Sequence, residues 1–335
     1  MTDKLSSWLD KYIGLKGAQL GARLGGGNSN VTQLVLHDGG QAVLRRPPDN
    51  AISSSAAAGV LREYSMLKSL HGHVKVPQAL GLCEDPTIIG QAFSIIEHVD
   101  GVSITDTLPP TYPADVTTLN RMGQQLVDEL ATLHTVSWQS LDIRQPKDPD
   151  HYVRKQIDRW RAVRATEKAR ELPLIEKLAT WLTAHLPPPE PATLMHGDFH
   201  LDNTLFSKTE VKLAAMIDWE LASVGNPHAD LALMLVFWGP RSVNPPGFSF
   251  VQKLTRNSPD LLSRMDLAQR WSTQTQRNIE HVNFYLVFAL WRLAAIVEGA
   301  YLLQVQGRVD SVYARNLEYD VPALLTEAAD LANLN

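Results

Sequence analysis

Apolar positions in the first hundred residues switch between helical and strand-like spacing. Residues 3–14 carry apolar side chains at intervals of three and four, which predicts a short helix. Five segments with short apolar runs, most of them next to glycine, proline or Asp-Gly turns, are typical of strands. Those strands are predicted at residues 19–24, 31–36, 41–45, 78–83 and 91–99. A second helix, predicted over residues 56–70, separates the third strand from the fourth.

Beyond residue 100 the apolar spacing becomes mostly helical. Helices are predicted over residues 119–134, within 152–186, at 229–238 and within 258–306, with loops at 135–150 and 240–246 and a short strand from Leu213 to Ile217. The most apolar long stretch runs from Leu286 to Leu303, but Arg292 and Glu298 interrupt it. We therefore interpret this stretch as a buried helix and not as a membrane span.

Composition narrows the possible classes of function. With 335 residues, 44% of them apolar and 20% charged, the chain has the balance of a globular protein with more than one core. The net charge of -5 contains no block of like charges, so we expect no nucleic-acid and no membrane partner. The single cysteine, Cys83, excludes an internal disulfide and a cysteine-based metal site. The first residues lack a signal-peptide pattern, which predicts a cytoplasmic location, and the oligomeric state stays unknown.

The segment 194–206 contains the most informative motif of the chain. His196, Asp198 and Asn203 stand as H-x-D-x-x-x-x-N, which is the spacing of a kinase catalytic loop. In such a loop the Asp receives the proton of the substrate hydroxyl as catalytic base, and the Asn binds magnesium. Asp218 follows 15 residues after Asn203, at the end of a short apolar strand, where a second magnesium-binding Asp is expected.

These residue types suit phosphoryl transfer. Its transition state spreads negative charge over the phosphoryl oxygens, which metal ions offset while a carboxylate orients the attacking oxygen. Mg²⁺ prefers oxygen ligands such as the amide of Asn203 and the carboxylate of Asp218. The motif therefore predicts ATP and Mg²⁺ as cofactors and the hydroxyl group of a small molecule as acceptor.

The run H-G-D-x-H-x-x-N at residues 196–203, followed by I-D-W-E at residues 217–220, resembles the aminoglycoside phosphotransferase and choline kinase family of small-molecule kinases. The chain is particularly similar to the branch found as a kinase-like domain fused to acyl-CoA dehydrogenases. The segment 225–232, G-N-P-H-A-D-L-A, extends the resemblance, which covers residues 20–305. Within that segment Asp230 is expected to accept hydrogen bonds from backbone N–H groups near the catalytic loop.

The resemblance implies a bilobal, protein-kinase-like α+β fold. A five-stranded antiparallel N-lobe is expected at residues 1–99 and a mostly helical C-lobe at residues 100–335. The C-lobe is expected to carry the catalytic loop at residues 194–206 and a metal segment at residues 216–232. The dehydrogenase-linked branch suggests a hydroxylated acyl or acid compound as the substrate.

The nucleotide is expected between two backbone segments of the N-lobe. Gly25, Gly26, Gly27 and Ser29 lie in the first hairpin turn, where glycines allow close approach to phosphates, successive N–H groups attract anions, and the serine hydroxyl can add a contact. An ordinary hairpin turn is the alternative for this irregular glycine pattern. The backbone of Glu97 to Val99, after the fifth strand, is predicted to be the hinge that hydrogen-bonds adenine.

Arg45 occupies the third-strand position at which kinases carry a lysine. Strand alternation puts Arg45 and Arg46 on opposite faces. We expect Arg45 to face the cleft, with Glu63 of the following helix as its partner, because two unpaired charges there would be costly. A surface arginine and a solvated glutamate are the alternative.

The remaining candidates keep more than one interpretation. His196 is placed with the catalytic groups as the residue that orients the loop. His200 either supports the loop or contacts substrate. Trp219 and Glu220 border the substrate in the resembled family, although Trp219 also suits a core position. Arg292 either pairs with a structural carboxylate or reaches the substrate cleft, where it would favour an anionic substrate.

Two other functions are compatible with part of the pattern. The spacing His196-x-Asp198-x-His200 also occurs in metal-dependent hydrolases, but that interpretation leaves Asn203 and the I-D-W-E element unexplained. An arginine at the lysine position and the irregular glycine loop are compatible with a non-catalytic nucleotide-binding module. Such a module would have no need for the base Asp198.

Overall fold

The computed structural model describes residues 3–24, 30–48, 54–167, 170–239, 254–255, 258 and 260–334. Two predicted segments, the glycine-rich loop with Gly25, Gly26, Gly27 and Ser29 and the loop at residues 240–246, lie outside the described residues. Within them the fold is a five-stranded antiparallel sheet followed by a mostly helical remainder.

The N-terminal part of the chain is a sheet flanked by helices, and we call residues 3–97 the sheet region. Its elements are α1 (Asp3–Ile13), β1 (Gln19–Arg23), β2 (Val31–His37), β3 (Gly40–Arg46), α2 (Ser54–Leu70), β4 (Ala79–Cys83), α3 (Pro86–Ile89) and β5 (Phe93–Glu97). The strands pair antiparallel in the order β1-β2-β3-β5-β4. The five strands and the two helices that the sequence predicts for this region are confirmed.

Alternation along β3 decides which of its side chains face the cleft. Ala42 and Leu44 are buried in a small apolar core between the sheet and α1. Val43 belongs instead to the larger core that continues into the helices. Because side chains alternate along a strand, Arg45 lies on the face of Val43 and Arg46 on the face of Leu44.

The short helix α3 was not predicted, because it is too short to show periodicity. The side chain of Asp85 caps it by accepting a hydrogen bond from the Thr87 N–H at 2.8 Å. Pro86 occupies the first helical position, where its missing N–H has no consequence. Gly90 ends the helix with a left-handed φ of 89°. Helix α3 is therefore specified by the capping residues at its two ends and not by an apolar face.

The rest of the chain is mostly helical, and we call residues 116–331 the helical region. Its helices are α4 (Val116–Thr135), α5 (Tyr152–Thr166), α6 (Pro173–Ala184), α7 (Pro227–Val236), α8 (Arg264–Thr275), α9 (Val282–Val305) and α10 (Val312–Leu331). Four short strands form two pairs, β6 (Thr193–Met195) with β9 (Ser223–Gly225) and β7 (Thr204–Phe206) with β8 (Leu213–Met216). These two pairs bring the predicted catalytic loop and the predicted metal segment side by side.

Helix α9 is the apolar stretch that the sequence analysis interprets as a buried helix. It is long and apolar enough to cross a membrane by length and composition alone, and it packs against α6, α7 and α10. No helix is predicted beyond residue 306, yet α10 lies along α9 with Leu317 and Leu324 fully buried. Ser311 caps its first turn, whereas Pro322 inside the helix interrupts the helical signal of the sequence.

Candidate active site

The catalytic loop is held at its start by a buried carboxylate. Strand β6 leads into the loop, and Asp230 on α7 accepts hydrogen bonds from the N–H groups of His196 at 2.7 Å and Gly197 at 2.8 Å. Gly197 has a φ of +85°, and a Cβ there would lie 2.3 Å from the carbonyl oxygen of Leu221, so only glycine fits. Burial alone would raise the pKa of Asp230, but its bond with His134 and the nearby imidazoles outweigh burial and lower that pKa. Asp230 therefore stays ionised and fixes the loop backbone.

His196 joins the catalytic loop to the metal segment. Its imidazole is fully buried, packs on Trp219 and donates from Nε2 to the carbonyl oxygen of Ile217 at 2.9 Å. Burial lowers its pKa, so the ring stays neutral. These contacts agree with the orienting role predicted for His196.

Asp198 is the carboxylate that the loop presents to solvent, with 38% of its side chain exposed. Asn203 donates from Nδ2 to the Asp198 carbonyl oxygen at 2.8 Å and to its carboxylate at 3.1 Å. Burial works to raise the pKa of Asp198, but His200, His196 and Asn203 outweigh burial and lower it. Asp198 is therefore ionised at neutral pH, as a proton acceptor must be.

His200 supports the loop. Its Nε2 lies 3.7 Å from the Asp198 carboxylate and 3.3 Å from Nδ2 of Asn203, and its ring packs on Phe237 at 4.7 Å between centroids. Burial opposes the charged imidazole, but the bond with Asp198 and nearby carboxylates raise the pKa of His200 above its usual range. Of the two interpretations left open by the sequence, loop support is the one that these contacts favour.

Asp218 lies beside Asn203, because the Ile217 N–H donates to the Asn203 carbonyl oxygen at 2.9 Å. Both side chains line the same cavity. Asp218 has a φ of +67°, which is unusual for a residue with a Cβ, and such backbone strain is concentrated at functional sites. One amide and one carboxylate beside each other form an oxygen donor set that fits Mg²⁺.

The sheet region contributes Arg45 to the opposite wall. Its guanidinium pairs with Glu63, at 3.0 Å from Nε to Oε2 and 2.9 Å from the second nitrogen to Oε1. The same guanidinium donates to the Thr32 hydroxyl at 3.3 Å and lies 3.3 Å from Oδ1 of Asp218. Burial would lower the pKa of Arg45, but the carboxylates around it raise that pKa, so it stays charged. The predicted ion pair is present, while Arg46 donates to the Pro47 carbonyl oxygen.

These groups surround a cavity of about 410 Å³ between the two regions. Glu97, His98 and Val99 line it, as do Arg45 and Asp218. The volume is in the range of small-ligand sites. The predicted hinge, metal and arginine positions thus converge on one cavity. The predicted phosphate-covering glycines lie outside the described residues.

The candidates for substrate contact are scattered. Trp219 is buried and donates from its indole to the Met216 carbonyl oxygen, which fits the core interpretation. Glu220 accepts a hydrogen bond from Asn30. Arg292 is half-buried and donates to the Gln156 side chain at 3.4 Å. Among the described residues the partner of Arg292 is this amide and not a carboxylate, so the structural carboxylate pair, one of its two alternatives, is absent.

The sequence analysis missed several residues of the site. Thr32 and Asn30 follow the glycine-rich loop at alternate positions, so strand alternation was the signal that pointed both of them to one face. Tyr313 at the start of α10 has its pKa raised to about 12 by burial and by the charges of Asp198 and Asp320. Helix α10 therefore begins near the carboxylate of the catalytic loop, where no sequence motif marked it.

The geometry does not support the metal-dependent hydrolase. His196 donates from Nε2 to a backbone carbonyl oxygen in the core, so this ring nitrogen is not available to a metal ion. In the part of the chain that the structure describes, no three His, Cys, Asp or Glu side chains are grouped as metal ligands. The arrangement instead joins one carboxylate at the cleft with an amide, a second carboxylate and a buried ion pair.

The sequence matches the family described as the phosphotransferase enzyme family over residues 21–252. Acyl-CoA dehydrogenase family member 10 of Mus musculus is 31% identical over 295 residues, and acyl-CoA dehydrogenase family member 11 of Gallus gallus is 32% identical over 316 residues. These alignments cover 86% and 91% of this chain but 27% and 39% of the relatives. The chain therefore spans well under half the length of either relative.

Solved structures share the fold. A Ralstonia eutropha protein described as a presumptive aminoglycoside phosphotransferase aligns with a TM-score of 0.84 at 26% identity, over 99% of this chain and 98% of that chain. A thermostable mutant of the aminoglycoside phosphotransferase APH(4)-Ia, in complex with ADP and hygromycin B, aligns with a TM-score of 0.62 at 15% identity over 99% of each chain. At that lower identity the likeness concerns the fold alone. Together with the match over residues 21–252, these similarities lead to one conclusion: the chain belongs to the phosphotransferase enzyme family.

Proposed function

We propose that this protein is an ATP-dependent, Mg²⁺-requiring kinase that phosphorylates a hydroxyl group of a small molecule. The observation that carries the proposal is the convergence of Asn203, Asp218 and the Arg45–Glu63 pair on one cavity, with ionised Asp198 bonded to Asn203 beside it. Relatives with this fold have been solved with ADP and with GDP, which supports a nucleotide in the cavity.

Asp198 is the proposed proton acceptor. The acceptor hydroxyl loses its proton to the Asp198 carboxylate as its oxygen bonds to the γ-phosphorus, and the bond from that phosphorus to the oxygen bridging to the β-phosphate breaks to release ADP. General-base assistance of this kind contributes about 10²–10⁴-fold to a rate. Asn203, bonded to both the backbone and the carboxylate of Asp198, fixes the direction of that carboxylate.

Arg45 is the proposed phosphate clamp. Its guanidinium is already oriented by Glu63 and Thr32, so little side-chain freedom is lost when it meets an anion. Asn203 and Asp218 are the proposed ligands of Mg²⁺, which would offset charge on the phosphates when bound. The backbone between Glu97 and Val99 is the proposed hinge for adenine.

We further infer that the acceptor is a hydroxylated acyl or acid compound. Two observations support this choice over a cationic sugar. The curated relatives are acyl-CoA dehydrogenase family members, and Arg292 on α9 is a cation whose partner among the described residues is the neutral Gln156.

The test is an acceptor screen. Purified protein is incubated with Mg·ATP and a panel of hydroxyacyl thioesters, hydroxy acids, sugars, choline and aminoglycosides, and ADP release is measured. We expect ADP release above the acceptor-free rate with a hydroxylated acyl or acid compound, and release slowed by about 10²-fold or more in the Asp198→Asn variant. ADP release with only choline or an aminoglycoside would contradict the proposed acceptor class but would still support the kinase function.

A non-catalytic nucleotide-binding module remains a second candidate because of one contact. The guanidinium of Arg45 lies 3.3 Å from the Asp218 carboxylate, so a cation of the protein already neutralises the proposed metal ligand. A module of this kind would be stabilised by ATP without Mg²⁺ and would release no ADP with any acceptor. Thermal unfolding with ATP, with and without Mg²⁺, separates the two candidates.

A further inference from the structure

Asn30 reaches across the cleft from the start of β2 to the metal segment. Its side-chain Nδ2 donates to Oε2 of Glu220 at 3.1 Å, although 190 residues separate the two along the chain. Asn30 also lines the 410 Å³ cavity that holds Arg45 and Asp218. A hydrogen bond to a carboxylate is stronger than one between neutral groups, so this contact can orient the residues it joins.

The contact acts on the turn that contains Asp218. Glu220 lies two residues after Asp218 in the short turn Trp219–Leu221, for which Asp218 is the capping residue with its strained φ of +67°. Before Asp218, the turn is anchored by hydrogen bonds of Ile217 to the catalytic loop. After Asp218, the bond from Asn30 supplies an anchor from the opposite wall. A strained residue keeps its conformation only when its surroundings fix it on both sides.

The chemistry of an amide suits this position. The negative charge of Glu220 helps to raise the pKa of Arg45, so it contributes to the field around the proposed phosphate clamp. A neutral donor holds Glu220 in place without cancelling that charge, whereas a lysine or arginine would cancel it. Asn30 also directly follows residues 25–29, the loop proposed to cover the phosphates.

We propose that Asn30 is a positioning residue for phosphoryl transfer, acting through Glu220 to hold the Asp218 turn against the residues that begin β2. The proposal rests on the proposed kinase function. It predicts that loss of the Asn30 amide reduces thermal stabilisation by Mg·ATP more than it reduces the thermal stability of the nucleotide-free protein. The role is independent of which small molecule accepts the phosphoryl group.

The test compares Asn30→Ala with Gln33→Ala. Gln33 is a matched control, because it lies on β2 three residues after Asn30 and its amide also donates at 3.1 Å, but to the Gly21 carbonyl oxygen and away from the cavity. Thermal unfolding is followed against Mg²⁺ concentration at fixed ATP, and kcat is measured with the acceptor found in the screen. We expect Asn30→Ala to raise the Mg²⁺ concentration for half-maximal stabilisation and to lower kcat, each by about tenfold, with Gln33→Ala close to wild type.

A second arm tests whether Asn30 acts through Glu220. Asn30→Ala is combined with Glu220→Ala, and the change in Mg·ATP stabilisation is compared with that of each single variant. If the proposal is right, Asn30→Ala has little further effect once Glu220 is gone. An undiminished further loss, or an Asn30→Ala variant equal to Gln33→Ala, would overturn it. A wild-type protein that Mg·ATP does not stabilise and that releases no ADP would instead overturn the kinase function, and this inference with it.

Discussion

The two walls of the cleft hold their functional side chains in different ways. On the helical side the fixing contacts involve backbone atoms. Asp230 binds two N–H groups of the catalytic loop, and His196 binds the carbonyl oxygen of Ile217. Asn203 accepts the Ile217 N–H through its own carbonyl oxygen. Backbone contacts of this kind fix the loop and the metal segment as one unit before any ligand arrives.

On the sheet side the contacts join one side chain to another. Arg45 binds Glu63, Thr32 and Asp218, and Asn30 binds Glu220. Two of these contacts cross the cleft and engage carboxylates of the metal segment. The helical wall is thus fixed mainly through backbone atoms, whereas the sheet wall is fixed through charged side chains whose interactions a nucleotide and its metal would change. Substitutions in the two walls should therefore differ in kind, and four predictions test this.

The largest effect is expected at the carboxylate that both walls share. Asp218→Ala removes a proposed metal ligand and releases Arg45, so kcat should fall by about 10³-fold or more. Stabilisation by ATP should need Mg²⁺ in the wild type and largely vanish in the variant, while the nucleotide-free protein stays folded. The measurements are thermal unfolding with and without Mg·ATP and ADP release. Undiminished Mg·ATP stabilisation in the variant would refute the metal assignment.

The second-largest effect is expected on the helical wall, at Asp198, where a substitution should slow the chemical step without changing nucleotide binding. Asp198→Asn keeps the size of the side chain and an oxygen that can accept from Asn203, but it removes the base. We expect kcat to fall by about 10²-fold or more with little change in nucleotide affinity. Asp100→Asn, at an exposed position paired with Lys208, controls for the loss of one negative charge. Wild-type kcat in Asp198→Asn would show that another group accepts the proton.

The third effect should separate the two neighbouring arginines of the sheet wall. Arg45→Ala loses its bonds to charged partners and leaves Glu63 buried without a cation, so KM for ATP should rise and kcat should fall, together by about 10–10²-fold in kcat/KM. Arg46→Ala, on the other face of β3, should change kcat/KM far less. The measurement is steady-state kinetics with varied ATP. Equal effects of the two variants would leave the phosphate clamp without a candidate on β3.

The sequence could predict what short-range rules specify. His196, Asp198 and Asn203 fall within one loop, so their spacing alone placed them together. Arg45 was placed by strand alternation, because Pro47 and Pro48 mark the end of β3. The order of the five strands and of the helix between them followed from turns and apolar runs. Such rules need only a few neighbouring residues.

The parts that could not be predicted depend on contacts between distant segments. The bond between Asn30 and Glu220 spans 190 residues, and that between His134 and Asp230 spans 96. No local pattern encodes either pairing. Arg292 binds an amide and not a structural carboxylate, which was one of its two alternatives, because the packing of α5 on α9 determines its partner.

The smallest predicted effect concerns the pH dependence of the helical wall. Trp271 donates from its indole to Nδ1 of His134 at 2.9 Å, so His134 carries its proton on Nε2, which lies 3.4 Å from Asp230. Burial lowers the pKa of His134, and it lowers that of His196 as well. In the unfolded chain histidine has a pKa of about 6.5. Below about that pH His134 and His196 are therefore protonated in the unfolded state but still neutral in the folded state. The contribution of these two rings to the free energy of unfolding should therefore fall as the pH is lowered from 7 to 5, partly offset by His200, whose pKa is raised in the folded state.

His134→Gln tests that argument with a side chain that cannot titrate. The Gln amide can still donate to Asp230, so the catalytic loop should keep its anchor, while the bond from Trp271 is weakened. Urea unfolding at pH 7 and pH 5 should give a slightly lower stability at pH 7 and a smaller loss on acidification than in the wild type. His185→Gln, at an exposed position, is the matched control. An unchanged acid loss in His134→Gln would mean that the Asp230 anchor is insensitive to this ring, and that the pre-organisation of the helical wall rests on Asp230 and the backbone alone.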